Sequence, residues 1–123
     1  MKTTGAPAMG GCVPKGRYKL RVVDAEAHKG DGVKLTLAVL NDGQPGTKLF
    51  EYLLFRSTTF WKVEHFLKSC GEYGGDGVEV DSDELIDDCI GWECEADLKV
   101  ETYEGRDSNK VAAFIFDEED DFS

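Results

Sequence analysis

Nowhere does the sequence hold the roughly 18 consecutive apolar residues that a membrane-spanning helix needs. The stretch from Met1 to Gly11 has Lys2 as its one cation and no apolar run behind it, so it does not read as a secretory signal. Cysteine is scarce. Four residues, Cys12, Cys70, Cys89 and Cys94, are too few for a disulfide scaffold, and a reduced, cytoplasmic setting is the default reading. The common catalytic signatures are missing: there is no GxxxxGK[ST], no GxSxG and no HExxH. His28 and His65 have no nucleophile or base beside them in sequence. Metal sites fare no better. Cys89 and Cys94 are spaced CxxxxC, the remaining cysteines are scattered, and zinc sites use tighter pairs. The acidic stretch DSDELIDD lacks the glycine that a calcium loop needs at its sixth position. A nuclease would need clustered carboxylates for Mg²⁺, and those at 79–88 read as a capped, solvated helix. A non-catalytic protein without cofactor or metal is the expectation.

What is present is a chain of 123 residues with 41% apolar content, enough for the core of one compact domain. The formal charge is −11, from 14 Lys and Arg against 25 Asp and Glu. Taken whole, that argues against a simple nucleic-acid binder and against anionic membranes. The charge is uneven, however. Residues 1–71 carry 11 bases and 6 acids, residues 72–88 carry 8 acids and no base, and residues 117–123 carry 5 acids and no base. A basic first half therefore stands beside an acidic insert and an acidic tail, a pattern found in nucleic-acid proteins. A soluble acidic domain with a solvated tail fits the charge equally well.

Residues 1–12, rich in glycine, read as a flexible lead-in to a domain over 13–116, and 117–123 as a disordered acidic tail. Tyr18, Leu20 and Val22 alternate with Arg17, Lys19 and Arg21, the period of a half-buried strand. After the turn signal HKGDG, Val33, Leu35, Leu37 and Val39 repeat the period, and NDGQPG marks a second turn. Lys48 to Phe55 predicts a third strand of unclear facing, because Lys48 and Glu51 are charged at opposite parity. Ser57 reads as the N-cap of a helix over 58–69, with Phe60, Val63, Leu67 and Cys70 on one stripe and Gly71 as the stop. Ser82 reads as the cap of a short acidic helix through Cys89. Trp92 to Glu101 alternates as a fourth strand, EGRDSN reads as a hairpin loop, and Lys110 to Phe116 is the fifth strand. Three meandering strands, a helix and a hairpin form the element order of the OB-fold, a five-stranded Greek-key barrel that commonly binds oligonucleotides.

The stretches VPKGRYKLRVVDAE, GTKLFEYLLF, STTFWKVEHFLKSCG, the GWEC strand entry and YEGRDSNKV together cover about four-fifths of the chain. They resemble a family of phage-encoded proteins found with replication and recombination functions and similar to phage single-stranded DNA-binding proteins of OB type. The resemblance implies binding of single-stranded DNA inside the host cell. Asp117, Glu118, Glu119, Asp120, Asp121 and Phe122 resemble the acidic, aromatic-ended tails of such proteins. That implies recruitment of replication or recombination partners and competition with DNA for the cleft. Ser123 departs from that pattern by placing one residue after the aromatic.

Single-strand binding needs cations for phosphates and aromatic rings for bases. The candidate cations are Arg17, Lys19, Arg21, Lys34, Lys48, Arg56, Arg106 and Lys110, with Lys62 also near the helix start. Arg17, Lys19 and Arg21 form either a phosphate stripe or a solvated strand face. Among the aromatics, Tyr52 reads equally as core or stacking platform, and Phe50 as core. Trp61 lies off the helix's apolar stripe, Tyr103 sits beside the last hairpin, and Trp92 reads as core. Two further readings stay open. One is an acidic interaction module, or nucleic-acid mimic, that docks a basic partner without touching DNA. The other is a homodimer that doubles the binding surface.

Overall fold

Alternation of apolar and polar residues builds most of what the computed structural model describes, which is residues 12–30, 32–41, 43–75 and 77–116. The strands are β1 (Gly16–His28), β2 (Gly32–Asn41), β3 (Gln44–Leu54), β4 (Glu93–Tyr103) and β5 (Arg106–Ile115). Between β3 and β4 lie two helices, α1 (Phe60–Cys70) and α2 (Ser82–Asp88). The chain is mainly β, and its strands form one antiparallel sheet in the order β3-β2-β1-β4-β5. The sheet is open. Its edge strands β3 and β5 approach one another without sharing a ladder, so the sheet curls toward a barrel with a seam.

The inward parity follows the apolar pattern. Leu20, Val22, Val33, Leu35, Leu37, Leu53 and Leu98 are fully buried, joined by Val63 and Phe66 from α1. Helix α1 lies against β3, β4 and β5, while α2 lies against β1 and β2. Phe66 meets Phe114 edge-on at 5.4 Å and Trp92 at 6.3 Å, which ties the helix to the last two strands. Trp92 is half-buried against this core. Asn109 is a buried polar residue that replaces missing sheet pairing. Its Oδ1 accepts from the Val13 N–H at 2.9 Å, and its Nδ2 donates to the Val13 carbonyl at 3.0 Å.

Several boundaries differ from the sequence expectation, each for a local reason. Strand β3 begins at Gln44 rather than Lys48. A tight turn with Gly43 at φ 80° starts the return strand early, so Pro45 and Gly46 sit at the β3 end of the ladder. The last hairpin is tighter than EGRDSN suggested. Glu104 and Gly105 take φ of 52° and 79°, which closes a two-residue turn and puts Arg106 to Asn109 into β5. Ser57 does not cap α1. The N-cap is Thr59, whose hydroxyl instead donates to the Leu54 carbonyl at 3.0 Å. Asp81, rather than Ser82, caps α2, accepting from the Glu84 N–H at 3.3 Å. Gly71 does end α1 in the left-handed conformation, as its position implied.

Because Phe66 is fully enclosed, Phe66→Ala is expected to lower stability by about 3–5 kcal/mol. Urea unfolding followed by tryptophan fluorescence measures this, and a loss below about 1 kcal/mol would mean that α1 is not part of the cooperative core.

Candidate nucleic-acid interface

Strand parity decides which β3 side chains reach solvent. Leu49, Glu51 and Leu53 point inward, and Lys48, Phe50 and Tyr52 point outward. Phe50 is 46% exposed and Tyr52 38%. This corrects the expectation that Phe50 is core, and it opens both rings to solvent on one strand face. Register sets their neighbours: Thr36 stands opposite Phe50, Lys34 opposite Tyr52, and Ala38 opposite Lys48. The Lys34 ammonium lies 4.5 Å from the centre of the Phe50 ring, and it also pairs with Glu26 at 3.8 Å. His28 packs its ring on Tyr52 at 4.7 Å.

Along the β3–β5 seam run two hollows, of about 220 Å³ and 270 Å³. Phe50 and Lys110 line both, so they form the waist of one continuous groove. Lys48 closes the first hollow, and Lys62, Lys99 and Tyr52 line the second. Lys99 and Lys110 stand directly opposite one another across the β4–β5 ladder, a like-charge pair that repels unless an anion lies nearby. Glu101 supplies one such anion, 3.2 Å from the Lys99 ammonium.

Glu51 supplies the other. It points into the seam, is only 4% exposed, and forms an ion pair with Lys62 of α1. The Val111 backbone N–H on the edge of β5 also donates to its carboxylate. Burial pushes the Glu51 carboxyl above its ordinary pKa, and Lys62 and Lys110 oppose that rise without cancelling it.

The β1 cations do not form a free phosphate stripe. Arg17 bonds Asp97 at 2.8 Å, and Arg21 bonds Glu93 at 2.8 Å. Lys19 stands opposite Glu95 in the ladder. The sequence places acids at every second position of β4, but only the antiparallel register reveals that they face the β1 bases. The Arg17 guanidinium holds the Asp97 carboxyl below the usual carboxylate range. Trp61 is 55% exposed, yet it lines neither hollow. Its ring meets His65 at 5.3 Å, and His65 meets Phe116 at 4.9 Å, on another face of α1. Arg56 and Arg106 are exposed and also line neither hollow. The Tyr103 side chain lies outside the described residues, as do the lead-in over 1–11 and the tail positions Asp117 to Phe122.

The structure thus brings together Lys34, Lys48, Tyr52 and Lys110. It adds Phe50, Lys62 and Lys99 at the groove, and it sets the β1 cations apart on a sheet face where Arg17 and Arg21 are ion-paired and Lys19 stands opposite Glu95. Parity could have exposed Phe50, since Lys48 shares its face, but the charge of Glu51 on the opposite face blurred that signal. Among the described residues no group of three or more His, Cys, Asp or Glu side chains is arranged to hold a metal. Burial pushes the Cys89 thiol up to about 11, so it stays protonated at neutral pH. Also among the described residues, no helix is long and apolar enough to cross a membrane. No protein-family model matches the chain, and no curated protein matches it.

The raised Glu51 pKa has a definite linkage sign. The native state holds this proton more tightly than the unfolded chain, so the contribution to stability is present in acid and lost as pH rises through the folded value. Glu51→Gln keeps an acceptor for the Val111 N–H and removes the titration. Relative to wild type, its melting temperature is expected to rise as pH increases from about 4 to about 8, as thermal denaturation would show. A parallel pair of curves would mean that the buried carboxylate does not titrate differently on folding.

Proposed function

We propose that this chain is a non-catalytic, single-stranded DNA-binding protein of OB type, with the β3 face and the β3–β5 groove as the path of the strand. The observation that carries this reading is the outward pair Phe50 and Tyr52, flanked by Lys34, Lys48, Lys62, Lys99 and Lys110. Alternate positions on one strand are about 6.7 Å apart. Two exposed rings at that interval, with ammonium groups on both sides, fit the stacking-plus-phosphate chemistry of single-strand binding. The OB assignment draws support from the meander β1–β2–β3, the return of β4 to β1, the helix between β3 and β4, and the approach of β5 to β3. The resemblance to phage proteins supplies the setting: coating of single-stranded DNA during phage replication or recombination, with Asp117 to Phe122 recruiting partners and competing for the groove.

A second reading has its own observation. The β1 arginines are matched by β4 acids, while Asp83, Glu84, Asp87 and Asp88 of α2 are exposed. Such a surface suits an acidic module that docks a basic protein of a replication or recombination complex and makes no DNA contact.

Titration of labelled oligo-dT by fluorescence anisotropy separates the two. Wild type is expected to bind at low salt with affinity that falls steeply as salt rises. Phe50→Ala and Tyr52→Ala should each weaken binding by about 1–3 kcal/mol. Arg17→Ala should leave affinity nearly unchanged, because its charge is already paired. No binding at low-micromolar protein in low salt would sink the DNA reading and leave the acidic module.

A further inference from the structure

The carboxylate of Glu51 serves two purposes that conflict once the groove is occupied. On the structural side it bridges the seam. Strands β3 and β5 share no ladder, and the Glu51 side chain accepts the Val111 N–H from the β5 edge. On the electrostatic side it holds Lys62 in an ion pair and faces Lys110. Both lysines line the hollow that also contains Phe50 and Tyr52. A phosphate entering that hollow meets one cation, Lys62, already ion-paired with a buried anion of the protein, and a second, Lys110, within the field of the same anion.

We infer that Glu51 is a built-in counter-anion of the groove, which a bound single strand must share Lys62 and Lys110 with, so that this one carboxylate sets a ceiling on affinity for single-stranded DNA. The inference rests on the reading proposed above and assigns its regulation to a residue inside the barrel rather than to the tail. The physical ground is counterion release. Cations condensed on the strand are released for each phosphate that a protein cation neutralises, and a lysine already neutralised by a fixed carboxylate adds little to that count. Freed from Glu51, Lys62 joins the phosphate-binding set as a full charge. The groups facing Glu51 are Lys62 from α1, and Lys110 and the Val111 N–H from β5. Lys99 and Glu101 of β4 share its hollow, and His28 of β1 reaches the site through Tyr52.

Glu51→Gln separates the two purposes, because the amide oxygen still accepts from Val111 while the charge is gone. With oligo-dT, the variant should bind about five- to tenfold tighter than wild type at about 50 mM salt, and its plot of log affinity against log salt should steepen by about 0.7. Equal affinity and equal slope would overturn the counter-anion role while leaving the DNA reading intact. Weaker binding by the variant would also overturn it, making Glu51 a positioning residue for Lys62. If neither protein binds oligo-dT, the DNA reading itself fails and the inference goes with it. Should the variant fail to fold, protonation does the same work in a protein otherwise intact at Glu51. Wild type, more than Lys62→Gln, should bind oligo-dT more tightly as pH is lowered. It should also take up protons on binding, read by calorimetry in buffers of different ionisation enthalpy. Binding that releases protons, or none taken up, would overturn the inference.

Discussion

Strands β3 and β5 come together at the edges of a curled sheet without exchanging a ladder, and the side chain that spans the gap is a carboxylate, Glu51. Much else in the molecule is arranged around that choice. A buried anion costs several kcal/mol unless charge and hydrogen bonds compensate it. Lys62 must therefore reach in from α1, and Lys110 must sit on the facing strand. The compensation is incomplete, as the raised carboxyl pKa records. Helix α1 thereby acquires a polar anchor at its start to complement the apolar anchor of Phe66, and the seam acquires cations at its mouth.

Those cations give the groove its chemistry. Interior parity commits Leu49, Glu51 and Leu53 to the inside of β3, which obliges Lys48, Phe50 and Tyr52 to face outward. A strand that borders the seam with a buried charge thus also presents two rings to solvent. The outer sheet face made by β1 and β4 is different in kind. There each base meets an acid across the ladder, so the surface is polar and nearly neutral. Exposed pairs of that sort contribute little to stability, and they leave little unpaired charge for a phosphate to use.

The acidity of the chain has a corresponding geography. The acids of α2 sit on a helix that lies against β1 and β2 rather than at the seam. The bases collected in the first 71 residues are partly consumed by β4. Around β3 and the β4–β5 stem, Lys34, Lys62 and Lys99 are in turn paired with Glu26, Glu51 and Glu101. A total of −11 describes neither surface.

Local pattern was sufficient for the strands and helices as kinds of element. Period-two alternation in β1, β2 and β4, the apolar stripe of α1 and the glycine that stops it are short-range features, because they depend on side-chain direction along a single element. The element ends moved where a tight turn closed early, as at Gly43 and Gly105, or where a different oxygen caps the helix, as at Asp81. The site was legible only in part. Lys34, Lys48 and Tyr52 could be placed on the right strands, but Phe50 was assigned to the core, and Arg17, Lys19 and Arg21 looked available. The first error turns on which face of β3 is buried, and the second on what stands across from each base. The sequence by itself determined the alternation, the chain order of elements and the uneven charge. Only the tertiary structure decided that Glu93, Glu95 and Asp97 face the β1 bases and that Glu51 meets Lys62 across the seam. Register and closure are long-range choices, settled by burying the whole core at once, and no window along the chain contains them.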